Sequence, residues 1–359
     1  MNSNKRLLSL DILRGLTVAG MILVNNGAGH EHFEPLTHSA WNGLTLCDLV
    51  FPFFLFIVGV CIPMSSKTDL RQVFWRSVKM FAIGVALHAW DMWIGGKEDI
   101  LAHLRIWGVL ERIALCYLAA CIIHRYVKKA PYLLLISACI LVAYATVLLL
   151  FNGYAQDESN IASIIDRALL GKEHLYQKSP IDPEGLLGTV SATAHTLLGV
   201  FIGRLLKHEK KSNPHFSTLV TYGFLFLCVG IAIMFKWHKG SEPLLPLNKR
   251  IWSPSYVLVT CGLATLLLSL LKHIIDNRDW KQWCRPFLWF GTNAIALYVA
   301  SEMLSPLMWK TGIAGTFYED LLSMGCCAKL ASLGYALTFD VLMGLIAWIL
   351  FKLKIFIKL

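Results

Sequence analysis

The chain has 359 residues, 56% of them hydrophobic and only 16% charged, with a mean hydropathy of +0.57. Soluble domains carry about 25% charged residues, so this composition excludes an ordinary soluble domain and points to an all-α polytopic membrane protein. The net charge of +10 does not call for nucleic acid, because membrane proteins collect Lys and Arg on their cytoplasmic loops.

Ten apolar stretches are expected to span the bilayer: about 12–29, 47–64, 72–90, 106–124, 131–151, 185–206, 216–237, 251–271, 286–304 and 331–351. Lys5 and Arg6 resemble the start of a secretion signal. However, Arg14 lies inside the first stretch and no small-residue cleavage site follows, so an uncleaved N-terminus is expected. With that terminus inside, the cytoplasmic segments carry 18 Lys and Arg and the outer segments 10. This bias favours both termini in the cytoplasm. It also turns the 30–46 loop and the long 152–184 loop outward, where loops over a rigid scaffold build sites. No linker or internal repeat divides the chain, so a single domain over 1–359 is expected.

The first polar loop carries His30, His32 and His38. A neutral imidazole takes a proton from an amine or hydroxyl, or attacks an acyl donor itself; an exposed loop histidine is the plain alternative for His38. Asp48, at the start of the second span, either answers the helix dipole or orients His38. His30, Glu31 and His32 are too few for a metal site, and the ten cysteines include no C-x-x-C, so no metal is expected.

Ionisable residues inside spans are costly and are usually functional or paired. Arg14, Arg76, Lys79, Glu111, Arg112, His195, Glu302 and Asp340 are of this kind. Arg76 and Lys79 sit one turn apart and can snorkel to headgroups, and Asp11 can pair with Arg14. Gly59 reads as a helix-packing position. The run Ser179-Pro180-Ile181-Asp182-Pro183-Glu184-Gly185 reads as a rigid turn with an acidic lip, or as a plain helix entry. Asn248 to Tyr256, with Trp252 and Ser255, reads as an aromatic belt or as a sugar-stacking surface.

Segments in order along nearly the whole chain resemble the heparan-alpha-glucosaminide N-acetyltransferase family: SLDILRG, VNNG, HSAWNGLTLCDLVFPFFLFIVG, RIWGVLERIALCY, LLGKEHLYQ, DPEGLLGTV, NKRIWSPSYV and GTNAIALYV. The resemblance implies a transmembrane acyltransferase, here of bacterial inner-membrane type. It would carry the acetyl group of cytosolic acetyl-CoA to the amine of a glucosamine-type sugar on the outer side. It puts the family's active-site histidine on His38 and the asparagine of its VN pair on Asn25, while Asp48 stays a catalytic candidate by its position alone, with both of its roles open. Departures fall at Ser301, where the animal enzyme has a histidine, and at Glu111, where it has a glutamine.

On this reading Arg14, Arg76, Lys79, Arg112 and Arg204 are candidates for the phosphates of CoA. Trp41, Asn42, Asp182, Glu184, Asn248, Trp252, Ser255, Asn293 and Glu302 are candidates for the sugar. Expected partners are the lipid bilayer and an amino-sugar or glycan substrate, with a homodimer among the expected assembly states and no nucleic acid. The competing readings are an amino-sugar transporter and an O-acyltransferase of another periplasmic glycan.

Overall fold

The computed structural model describes residues 7–65, 69–177, 179–208, 215–235 and 243–357. Lys5, Arg6, Lys67, Lys178, Lys210, Lys211, Lys239 and Lys358 of the charge count lie outside the described residues. The described chain is all-helical. The helices are α1 (Leu8–Asn25), α2 (Cys47–Met64), α3 (Leu70–Ile94), the single turn α4 (Ile100–His103), α5 (Val109–Tyr126), α6 (Ala130–Leu150) and α7 (Ile161–Leu170). They continue with α8 (Leu186–His208), α9 (His215–Ala232), α10 (Pro254–Leu271), α11 (Arg285–Thr292), α12 (Ala294–Lys310), α13 (Ile313–Ser323) and α14 (Ala328–Lys352).

Six of these are long and apolar enough to cross a membrane: α1, α2, α6, α8, α10 with its π-helical extension to Asn277, and α14. The pair α11 and α12, bent by 83° at Asn293, makes a seventh if counted as one broken span. Helices also occupy the other three expected stretches, but they differ from simple spans for physical reasons. α3 carries Arg71, Arg76, Lys79 and Asp91, α5 carries Glu111, Arg112 and Arg125, and α9 is short. Only 28% of the apolar window of α6 and of α14 is buried. Leu135, Val142 and Leu149 on α6, and Leu337, Val341 and Leu345 on α14, are exposed at helical spacing, as contact with lipid requires.

The chain forms two compact units. The first draws on Met1–His38, Thr45–Phe54 and Leu266–Leu359, the second on Ser39–Leu44 and Leu55–Thr265. In the first, α1 crosses α11 at two glycines. A Cβ on Gly15 would stand 1.7 Å from the Phe287 carbonyl oxygen, and one on Gly291 would stand 2.0 Å from that of Asp11. Ala28, Ala314 and Tyr335 form a small core with Met308, Phe317 and Tyr318, which fixes the chain after α1 over α13 and α14.

In the second unit α3 packs along α5, and α8 lies against α5 and α6. Gly59 and Gly199 meet: a Cβ on Gly59 would be 2.2 Å from the Thr196 carbonyl oxygen, and one on Gly199 would be 2.4 Å from that of Phe56. Small residues of this kind let helix backbones approach without lipid between them. Gly199→Ala should therefore destabilise. The gain in helix propensity, about 1 kcal/mol, is outweighed by overlap with a backbone carbonyl that cannot rotate away, in the range of about 1–3 kcal/mol for overpacking. The melting temperature in detergent reads the difference, and an unchanged or higher value would contradict this packing.

Candidate active site

The loop after α1 reaches His38 through a short 3-10 turn at Glu34–Leu36, closed by the Thr37 hydroxyl donating to the Glu34 carbonyl at 2.9 Å. His38 lines a cleft of about 200 Å³ in the first unit, together with Asn25, His32, Cys47, Lys329 and Ser332. The last two come from α14, where Lys329, Ser332, Leu333 and Ala336 form one helical face toward the cleft. His32 Nδ1 lies 2.8 Å from Ser332 Oγ, which ties the loop to α14.

Behind His38 stands Asp48. Its Oδ1 is 2.8 Å from His38 Nδ1. The Asp48 side chain is 0% exposed, whereas that of His38 is 51% exposed, so the carboxylate is sheltered and the imidazole open. The other carboxylate oxygen, Oδ2, accepts from the Thr45 backbone N–H at 3.2 Å, and the Asp48 N–H donates back to Thr45 Oγ1 at 3.3 Å. This reciprocal exchange is a capping box, which satisfies backbone donors that a helix start leaves open. The Thr45 hydroxyl also donates to the Thr37 carbonyl at 2.7 Å, bringing the residue before His38 against the start of α2. One carboxylate thus begins the helix and faces the histidine.

The structure brings Asn25, His38 and Asp48 to this one place in the first unit. Cys47 belongs there too, buried, with Sγ 3.1 Å from His38 Nδ1. Sequence reasoning missed Cys47, Lys329 and Ser332. The Thr45-x-x-Asp48 spacing was the readable signal for the cap, and the i, i+3, i+4, i+7 pattern on α14 was the signal for the wall. Of the other candidates in this unit, Arg14 contacts Asp11 Oδ1 at 3.3 Å and the Gly291 carbonyl at 3.2 Å. Asn293 holds the C-terminal segment, donating to the Ile355 carbonyl and accepting from the Ile357 N–H, both at 2.9 Å. Glu302 is half-buried on α12.

The second unit places most of the proposed sugar contacts in its interior. Trp41 is buried with Tyr144, Leu148, Ile181 and Ile251. Asn42 Oδ1 accepts from Asn248 Nδ2 at 3.1 Å, and Ser255 Oγ donates to the Pro246 carbonyl at 2.9 Å. Trp252 is wholly buried at φ +52°, with the Arg112 guanidinium 5.0 Å from its ring and His195 and Tyr256 beside it. It presents no open face to a sugar. Glu111 is also wholly buried, 3.9 Å from His88 Nε2.

Among the phosphate candidates, Arg204 is committed. Its guanidinium donates to His124 Nδ1 and to the carbonyls of His124, Val127 and Lys128, closing the end of α5. Arg112 donates to the Gly185 carbonyl at 3.0 Å beneath Trp252. Arg76 stacks over Tyr117 at 5.0 Å and is half-buried, and Lys79 is exposed.

Asp182 and Glu184 converge on a residue not singled out from sequence. Arg105 Nη2 is 2.6 Å from Asp182 and 2.7 Å from Glu184. Asp182 further accepts from the backbone N–H groups of Tyr176 and Glu184 at 2.9 Å each. Burial alone would raise the Glu184 carboxyl, but Arg105 and Arg112 outweigh it and hold it below the usual carboxylate range.

Asp166 is the opposite case. Burial, with the neighbouring Asp182 charge, pushes its carboxyl up to about 7 against the Leu186 N–H that it accepts. The folded chain therefore keeps a proton that the unfolded chain releases, and stability falls as pH rises from 3.8 to about 7. Asp166→Asn keeps the acceptor for Leu186 and removes the titration. The variant should melt above the parent at pH 8 and level with it at pH 4; a parent-like pH slope would contradict the assignment.

The family model of the heparan-alpha-glucosaminide N-acetyltransferase catalytic region matches residues 6–168. An acyltransferase-domain model matches residues 108–351. Asn25, His38, Cys47 and Asp48 fall in the first match, and Lys329 and Ser332 in the second. Two curated relatives, heparan-alpha-glucosaminide N-acetyltransferase of Mus musculus and of Homo sapiens, are each 28% identical, over 422 and 416 residues. The alignments cover 100% and 99% of this chain, but 61% and 60% of the relatives. The chain thus spans about three fifths of the length of the curated relatives it matches. With one model running through most of its helices, the chain belongs to the acyltransferase-domain family, and through its first part it is similar to the heparan-alpha-glucosaminide N-acetyltransferase catalytic region.

Proposed function

We propose that the protein is a transmembrane acetyltransferase that moves the acetyl group of cytosolic acetyl-CoA to the amine of a glucosamine-type sugar on the outer side of the membrane. The observation that carries this reading is the His38–Asp48 contact of 2.8 Å in a cleft shared with Asn25, inside the region similar to the N-acetyltransferase model. A carboxylate that accepts the Nδ1 hydrogen leaves the Nε2 lone pair free to act as a base and offsets the charge of the imidazolium as it forms. The base takes a proton from the sugar amine as its nitrogen attacks the thioester carbonyl. The tetrahedral oxyanion then collapses, and the CoA sulfur leaves with that proton as the thiol. The amide N–C bond forms and the C–S bond breaks. Donors aimed at the oxyanion lower this barrier, and the Asn25 amide is the candidate in the cleft. Transfer through an acetyl-imidazole on His38 uses the same groups in two steps.

CoA is large and anionic, so carrying it through hydrocarbon is prohibitive. An inner nucleotide site with the thin pantetheine arm reaching outward avoids that cost. Among the phosphate candidates Arg204 suits this role least, because its donors are occupied by carbonyls. Ten spans with both termini inside remain our reading of topology, supported by the loop charge bias and by helices in all ten stretches. A bacterial inner membrane is the expected location.

The test is acetyl transfer from labelled acetyl-CoA to glucosamine by the purified full chain in nanodiscs, with products identified by mass spectrometry. A CoA-dependent N-acetyl product supports the reading. Sugar uptake into proteoliposomes without any CoA ester, and no such product, would replace it with a transporter. Acetylation only at a hydroxyl would change the acceptor class.

A further inference from the structure

Cys47 is a buried nucleophile in the candidate site that the acetyl-transfer scheme does not use. It is the first residue of α2, 1% exposed, and it lines the cleft together with His38. Its Sγ lies 3.1 Å from His38 Nδ1 and 3.7 Å from Nε2, and Asp48 Oδ1 lies 2.8 Å from that Nδ1. Thiol, imidazole and carboxylate therefore stand in one chain of contacts, the arrangement that activates a nucleophilic cysteine. With Asp48 holding the Nδ1 hydrogen, Nε2 is the atom that takes the thiol proton. The thiolate left behind faces the imidazolium and the positive end of the α2 dipole, both of which favour it.

Two further observations bear on where an acetyl group would rest. The first is shelter. The His38 side chain is 51% exposed, so an acetyl-imidazole there would face water. Cys47 is buried, and excluding water protects a reactive intermediate from hydrolysis. The second is room. The cleft holds about 200 Å³, below the about 300–1,000 Å³ of a pocket for one drug-sized ligand. Taking two substrates in turn needs less space than holding both at once, and a covalent carrier allows turns.

We infer that Cys47 carries the acetyl group between CoA and the sugar, as a thioester. The inference rests on the proposed function and changes which thioester the amine meets. In the first half-reaction the Cys47 proton passes to His38 and Sγ attacks the acetyl carbonyl. The new C–S bond forms, the bond to the CoA sulfur breaks, and the imidazolium returns the proton to that sulfur, so CoA leaves as the thiol. One thioester has replaced another, and neither oxidant nor reductant is needed. In the second half-reaction the amine nitrogen attacks the Cys47 thioester and its proton passes to His38. The amide N–C bond forms, the bond to Sγ breaks, and Sγ regains its proton.

The test uses the full chain in nanodiscs with acetyl-labelled acetyl-CoA and no sugar, quenched in acid and mapped by peptide mass spectrometry. One acetyl group should appear on Cys47 and should move to glucosamine when the sugar is added. Label should also exchange between CoA and acetyl-CoA in the absence of sugar, as double displacement requires. Cys47→Ala should lose both signals and lower kcat by at least about 10²-fold, as removal of a nucleophile does, with melting as the check on folding. Cys47→Ser should accumulate an oxygen ester that glucosamine clears more slowly. Acetyl found on His38 instead, no acetyl on the chain, acetylation of the exposed Cys327 at the same rate, or parent-like turnover by Cys47→Ala would each overturn the inference. An N-acetyl product formed without any acetyl on Cys47 would overturn it and leave the proposed function standing. Acetyl loaded on Cys47 that never reaches an amine would do the reverse.

Discussion

His38→Ala is expected to lower acetyl transfer by about 10²–10⁴-fold, the usual contribution of a positioned general base, while melting of the protein stays close to the parent. Half of the His38 side chain is exposed, so truncating it removes little packing. Asp48→Asn should retain more activity than His38→Ala but shift the pH–rate profile, because a neutral amide no longer offsets the imidazolium or selects the Nδ1–H tautomer. It should also lower stability, since the same side chain caps α2. The pair separates chemistry from structure: one substitution costs rate alone, the other costs both. Parent-like turnover by His38→Ala would remove the histidine from the mechanism, and a rate loss in Asp48→Asn with no change in pH profile would reduce Asp48 to a cap.

The second large effect is expected at Arg105. Arg105→Ala leaves Asp182, which is inaccessible, and Glu184, nearly so, without their shared cation. Stranding a buried charge by deleting its partner costs about 3–5 kcal/mol, a large part of the about 5–15 kcal/mol that holds a typical domain together. The pH dependence carries the sign. Arg105 holds the folded Glu184 carboxyl below its unfolded value, so in the parent this contribution is present at neutral pH and is lost as pH falls through the lowered value. In Arg105→Ala the two carboxylates repel and are desolvated, and protonation relieves both. The stability gap between parent and variant should therefore be wide at pH 8 and narrow toward pH 4. Arg105→Lys should recover only part of it, because an ammonium cannot fork between two carboxylates as a guanidinium does. A gap that does not vary with pH would mean that packing, not charge, sets the cost.

What could be read from sequence divides along physical lines. Helices were legible wherever apolar runs continued for a full span, as at Cys47–Met64 and Ala130–Leu150. The break at Asn293 was not, because the residues on either side are good span formers and only the side chain's bonds to Ile355 and Ile357 show the turn. Helix α7 inside the 152–184 loop was missed because it is short and stands outside any apolar run. In the candidate site, His38 and Asp48 were each visible with two open roles, and ten residues of irregular chain decide whether they meet. Arg105 and Asp182 are 77 positions apart, a separation that no local pattern bridges. Trp252 read as an aromatic-belt or sugar-stacking residue because it opens an apolar span; Arg112, whose guanidinium lies over its ring, comes from a distant helix.

On the proposed mechanism, the double use of Asp48 ties catalytic readiness to the most easily frayed part of a helix. Helix ends open at far lower free energy than the packed middle. The first turn of α2 can therefore come undone while the rest of the helix stays in place. In that moment the imidazole loses its aim although no residue has been changed and the bundle has not melted. Thermal inactivation should then set in at lower temperature than unfolding, and the distance between the two curves measures how firmly Thr45 and Asp48 hold each other.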